Sequence, residues 1–194
     1  MEIGATKAVQ DRLKTTKIEE SKGASLVFCW DTHLTKIKGR NVLFIVNASN
    51  RYTIAMTDIE PRNWNYYTMY ISRVIHGVMQ EMGYSEDQIG QYFKMSGDTT
   101  VTKTHGRKSV GGINRMVMDA QYFGKKLEKE AKYQWELSEY LNRDICQPEG
   151  FDAYGYPSEL FKLDMERLGI DAKRKPAKII DFTKYIDTNR STNH

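Results

Sequence analysis

Between positions 103 and 109 the sequence reads "KTHGRKS", which puts Lys103, His105, Arg107 and Lys108 in one short loop. A histidine titrates near neutral pH and can move a proton. Flanking cations can hold a phosphate or stabilise a phosphorane. One chemistry this permits is a small phosphodiesterase or ribonuclease with His105 as the acid–base group. Another is anion binding without turnover. Gly111 and Gly112 follow the loop at the expected start of a helix, where the first N–H groups lack internal partners and the dipole is positive. Binding is favoured over catalysis, because no second histidine or carboxylate lies nearby in sequence to complete an acid–base pair. A third reading is structural: Ser109 caps the helix, the glycines permit close packing, and Arg107 holds a neighbouring carboxylate. The stretch matches neither the phosphate-loop nor the dinucleotide-binding glycine pattern.

The elements that must position this loop follow from hydrophobic periodicity. "TTVTKT" before it is strand-like by its threonine and valine content. After it, Ile113, Val117, Ala120, Phe123 or Gly124, Leu127, Ala131 and Trp135 step by three or four, predicting a helix over 110–143. "MEIGATKAVQDRLK" reads as a short strand turning into a helix. "SLVFCW", continued by "THLTKI", then "NVLFIVN" and "RYTIAMT" read as strands joined by short turns, an antiparallel meander. The unbroken apolar run at 41–47 fits a strand buried on both faces. Pro61 opens a helix over 61–82 with Trp64, Tyr67, Ile71, Val74, Ile75 and Val78 inward, and Gly83 stops it. Tyr66 and Tyr70 fall on another face of it, where exposed rings can stack on bases. "SEDQ" at 85–88 is a capping box opening a shorter helix. "QPEGFDAYGYP" is a linker, Ser158 caps a short helix, and 171–178 is a basic segment before a late strand or docking peptide at 179–186.

Composition narrows the classes. The 194 residues are 40% hydrophobic, enough for a core. The formal charge of +4, from 29 basic and 25 acidic residues, permits contact with nucleic acid without demanding it. The two cysteines, Cys29 and Cys146, are far apart with no CxxC, and neither a metal site nor a cofactor motif is read from the sequence. Charges at positions 2, 7, 11, 12 and 14 leave no signal-peptide core, and no apolar run approaches the roughly 18 residues of a membrane span. The expected compartment is a reducing cytoplasm.

The order of motifs resembles a family of small bacterial and phage-associated proteins catalogued as a domain of unknown function. Its pattern is an N-terminal TK after a first strand, a meander ending near vLFvNeaT, a long helix, then KTxxRSVLGSLN. Here stand Thr6-Lys7, "NVLFIVNASNRYTIAM" and "KTHGRKSVGGIN", with Lys103, Thr104, Arg107, Gly111 and Asn114 at the family positions. Lys108, Val110 and Gly112 depart from the pattern's serine, leucine and serine. The resemblance covers roughly residues 1–125. It implies an α/β fold and a single site holding Thr6, Lys7, Lys103, Thr104, Arg107 and Asn114, in a setting such as phage defence, counter-defence or a toxin–antitoxin pair. It implies no activity.

These readings predict an α+β core over 1–143 and an extension over 144–194. The core has a mostly antiparallel sheet, the 98–104 strand beside the first strand, and the 61–82 and 110–143 helices on one face. The expected ligand is phosphate-bearing, a nucleic acid or nucleotide, held by Thr6, Lys7, Lys103, Thr104, Arg107, Lys108, Gly111, Gly112 and Asn114. The alternative partner is a protein docking on 125–143 and the extension.

Overall fold

The computed structural model describes residues 1–15 and 18–170. The basic segment at 171–178 and the late strand at 179–186 lie outside the described residues. Five strands form one sheet: β1 (Glu2–Ala5), β2 (Cys29–Ile37), β3 (Arg40–Asn47), β4 (Thr53–Thr57) and β5 (Thr100–Thr102), in the order β4-β3-β2-β1-β5. β2, β3 and β4 are the antiparallel meander. β1 lies between β2 and β5 and is parallel to both, so the last strand does sit beside the first.

β3 explains where the cores lie. Its alternate residues Leu43 and Ile45 enter one hydrophobic cluster, and Val42, Phe44 and Val46 enter the other. A strand covered on both sides has no polar face, which is why "NVLFIVN" is apolar throughout. The first cluster is closed by α3 (Tyr67–Glu81) with Ile71, Val74, Ile75 and Val78, and by α4 (Glu86–Ser96) with Ile89 and Tyr92. The second is closed by α5 (Gly106–Gln121) with Ile113, Met116 and Ala120, and by α6 (Trp135–Asn142) with Leu137 and Leu141. The α+β class therefore holds, but the two long helical regions cover opposite faces of the sheet, not one. The meander needs both, since each face of β3 is apolar.

Local signals act as the sequence predicts at several points. Pro61 opens α2 (Pro61–Asn65), Gly83 takes φ 93°, and Ser85 and Gln88 make both bonds of the capping box. Tyr66 separates α2 from α3 and is exposed, while Tyr70 is buried, so the two do not form an exposed aromatic face. The 110–143 helix is two helices with a loop between. Side-chain donors take the carbonyls a continuous helix would use: Lys38 donates to Phe123 and Lys125, Arg40 to Glu128 at 2.6 Å, and, within the segment itself, Gln134 to Glu128 at 2.9 Å. Side-chain donors from the β2–β3 turn override a weak local propensity. C-terminal to the 147–157 linker, α7 (Pro157–Arg167) packs Phe161 against Trp30 and Tyr52 in the first cluster.

One buried group carries a cost here. Glu81 ends α3, where the helix dipole is negative, and its Oε2 is buried without a hydrogen-bond partner. Burial pushes its carboxyl up to about 7. The folded state therefore holds this proton more tightly than the unfolded chain, whose group titrates near 4.5. The associated stability is complete below about pH 4.5 and lost as pH rises through about 7. Glu81→Gln is expected to match the parent's melting temperature near pH 4 and to exceed it at pH 8. Partial exposure screens the effect to about 1 kcal/mol, or roughly 2–4 °C at this chain length. Thermal melts of both proteins at the two pH values check this; equal melting temperatures at pH 8 would refute it.

Candidate functional site

α5 runs from above β1 and β2 toward β3 and β4. Its inward stripe is Ser109, Ile113, Met116 and Ala120, polar at the start and apolar afterwards. The sheet beneath is divided in the same way. Ile3, Ala5 and Trp30 point into the first core, so Glu2, Gly4, Cys29 and Asp31 face α5. Under its first turn lies a buried polar cluster.

His105 is its centre. Its side chain is only 2% exposed, beside Asp31 at 0% and Glu2 at 6%. The ring Nδ1 lies 2.7 Å from an Asp31 carboxylate oxygen, and Nε2 lies 3.0 Å from Glu2. Asp31 also accepts from the His105 backbone N–H at 3.2 Å and from the Ser109 hydroxyl. Ser21 Oγ donates to Glu2 at 2.6 Å and the Lys22 N–H at 2.8 Å. Burial by itself lowers the histidine's pKa. Hydrogen bonds and charge from Asp31 and Cys29 outweigh it and raise the imidazole to about 10. Burial opposes ionisation of Glu2 as well, yet Ser21, Lys22 and His105 hold its carboxyl below the usual range.

Asp31, one of the protein's own carboxylates, sits at the start of α5 held by His105 and Ser109; among the described residues, none of Lys103, Arg107 and Lys108 pairs with it. The helix begins at Gly106, four residues before its expected start, and its N-cap is His105 rather than Ser109. Gly111 and Gly112 are thus in the second turn, where their N–H groups belong to the helix, and they do not form an open amide cradle. His105 is unsuited to general-base work, because both ring nitrogens face carboxylates and the ring is shut from solvent. The acid partners missing from the local sequence are Glu2 and Asp31, delivered by the register of β1 and β2. The cluster also brings Glu2, Cys29 and His105 together as candidate metal ligands, with one donor atom of each within 4.8 Å of the others. The sequence by itself points to no metal site, because positions 2, 29 and 105 meet only through the sheet.

Apart from Thr104, whose Cα lies against Gly4, the remaining residues read as ligand-binding fall into three groups. Thr6 holds the N-cap position of α1 (Lys7–Leu13) without a side-chain capping bond, its hydroxyl donating instead to Thr32 O at 3.0 Å. Lys7 pairs with Asp11 at 2.6 Å, and Lys103 pairs with Glu20. Their backbones leave adjacent parallel strands on one sheet edge, as Gly4 pairs with Thr102. Arg107 and Asn114 are exposed. Lys108, Gly111 and Gly112 instead line a groove of about 330 Å³ with Arg51, Ser109, Arg115 and the 147–149 segment. Arg51 lies flat across α5, donating to Gly112 O at 2.7 Å. A Cβ on Gly112 would come within 3.0 Å of its Nε. Arg51 and Arg115 were not among the expected ligand residues, and no local signal marks Arg51.

Residues 2–160 match the family described as Domain of unknown function (DUF6933). The chain belongs to this family. The DUF6933 match contains every residue of the buried cluster and of the groove. No curated protein and no solved structure matches the chain. Among the described residues, no helix is long and apolar enough to cross a membrane.

Proposed function

We propose that this DUF6933 protein binds a phosphate-bearing ligand, a nucleotide or a single-stranded nucleic-acid backbone, in the groove beside α5. The observation that carries this reading is the charge of the groove wall. Arg51, Lys108 and Arg115 line it, and Glu149 is its one acidic residue. Arg115 is partly neutralised by Asp119 at 3.1 Å. Among the described residues, Lys108 and its neighbour Arg107 form no ion pair. At about 330 Å³ the groove is at the small end for ligand sites, suited to a mononucleotide or a short backbone segment. Guanidinium groups match phosphate oxygens two at a time, and Arg51 is already held in place by Gly112.

Titrating labelled single-stranded oligonucleotides and nucleotides at rising salt tests this. The logarithm of the oligonucleotide binding constant should fall against the logarithm of salt by about 0.7 per phosphate contact. Lys108→Ala should weaken binding and reduce that slope by about one contact, with the melting temperature unchanged because the side chain is exposed. No binding, or binding indifferent to salt, overturns the reading.

A second reading is a protein contact through 125–143. It is favoured by exposed Trp135 (45%) and Tyr140 (42%), which border a cleft of about 590 Å³ with Phe123. A partner held there binds the Lys108→Ala protein as tightly as the parent.

A further inference from the structure

Glu2 and Cys29 begin adjacent parallel strands and are register partners, so their side chains emerge side by side. His105 comes down onto them from the end of β5. An oxygen, a sulfur and a nitrogen donor, one from each residue, lie within 4.8 Å of one another. Nε2 of His105 is 3.0 Å from Glu2 Oε2.

The hydrogen-bond chain orients His105 and Glu2 toward one another. Asp31 is a carboxylate 2.7 Å from Nδ1, so Nδ1 carries a proton and donates it. In the neutral ring Nε2 is then an acceptor, and it confronts the acceptor Oε2 of Glu2 at hydrogen-bond distance. A proton on the ring or on the Glu2 carboxyl satisfies that contact, and a metal ion can take its place. A thiol, an imidazole and a carboxylate are the ligand types of zinc. A tetrahedral zinc ion with bonds of about 2.0–2.3 Å separates its ligand atoms by roughly 3.3–3.6 Å, a modest adjustment from the spacing seen here. Outer-shell groups are in place as well. Asp31 orients His105 through Nδ1, as carboxylates do for metal-bound histidines, and Ser109 and the His105 N–H hold Asp31. Ser21 and Lys22 fix Glu2.

We propose that Glu2, Cys29 and His105 bind one divalent ion of the zinc class, with Asp31 as the carboxylate that orients His105. The ion takes Cys29 as its thiolate and His105 as the neutral ring, so binding releases the protons these groups carry to solvent. Three protein ligands leave the fourth tetrahedral position for a water. This proposal is independent of the groove beside α5.

Full-length protein, stripped with chelator, is titrated with Co²⁺ as the probe and then with Zn²⁺. One equivalent of Co²⁺ should produce a near-ultraviolet thiolate-to-cobalt band and visible tetrahedral bands, both bleached by Zn²⁺. Cys29→Ser should lose the near-ultraviolet band, and Asp31→Asn should weaken Co²⁺ binding about 10–100-fold. If either variant fails to fold, the parent still decides: its melting temperature should rise with Zn²⁺, ignore Mg²⁺ and fall back with chelator. Absence of cobalt bands with no thermal response to Zn²⁺ overturns the proposal and assigns the contact to a proton. Persistence of the thiolate band in folded Cys29→Ser protein overturns it too.

Discussion

Asp31→Ala is expected to lower the unfolding free energy by about 3–5 kcal/mol, the cost of removing one member of a buried charged pair. Asp31 is fully buried and accepts from the His105 imidazole, the His105 N–H and the Ser109 hydroxyl. Alanine leaves all three donors buried and unpaired, and the imidazolium keeps only Glu2. It also releases the first turn of α5 from the sheet, since the N-cap residue makes no side-chain capping bond of its own. At this chain length the loss corresponds to a fall of roughly 6–20 °C in melting temperature. Asp31→Asn keeps the volume and one acceptor, so it should lose about half as much. Urea unfolding followed by circular dichroism measures both. A loss below about 1 kcal/mol for the alanine variant would show that Asp31 does not anchor α5.

Asp31 also shows where sequence reasoning stops. Features set by neighbours in the chain were legible: the doubly buried β3, Pro61 at a helix start, Gly83 at φ 93°, and the capping box of Ser85 and Gln88. Each depends on physics within a few residues. The start of α5 was misplaced, because the cap for "THGRKSVGG" comes from Asp31, 74 positions away. The helix expected through 122–134 is broken by Lys38 and Arg40, again from a distant turn. His105 looked partnerless for the same reason. The histidine of the basic loop is balanced by carboxylates of β1 and β2, which no local window contains. The sequence points to Gly111 and Gly112 for exposed amides, whereas Gly112 matters because it admits the Arg51 guanidinium. One local signal did point at the cluster: a glycine inside "EIGAT", since glycine in a strand often marks a close approach of other groups.

That glycine carries the second large prediction. Gly4 lies mid-strand between two parallel neighbours, paired with Asp31 and Thr102. Its φ is not in the left-handed region, so alanine is conformationally acceptable and any cost is steric. A Cβ there would stand 1.8 Å from Asp31 Oδ1 and 3.0 Å from both Asp31 Cγ and the Thr104 Cα. Asp31 cannot swing aside without giving up its three donors, and Thr104 Cα is backbone. Gly4→Ala should therefore cost about 4 kcal/mol or more, combining overpacking with loss of the buried pair. The same contact has a sharper consequence in a double-mutant cycle. Once Asp31 is replaced by alanine, the methyl added at position 4 enters the space the carboxylate leaves, and only the Thr104 contact opposes it. Gly4→Ala should then cost no more than about 1 kcal/mol in the Asp31→Ala background, a coupling of roughly 3 kcal/mol. Urea unfolding of the four proteins measures that coupling. Additive losses would mean that the carboxylate does not occupy the space above Gly4, and the geometry assigned to His105, Asp31 and Ser109 would be wrong.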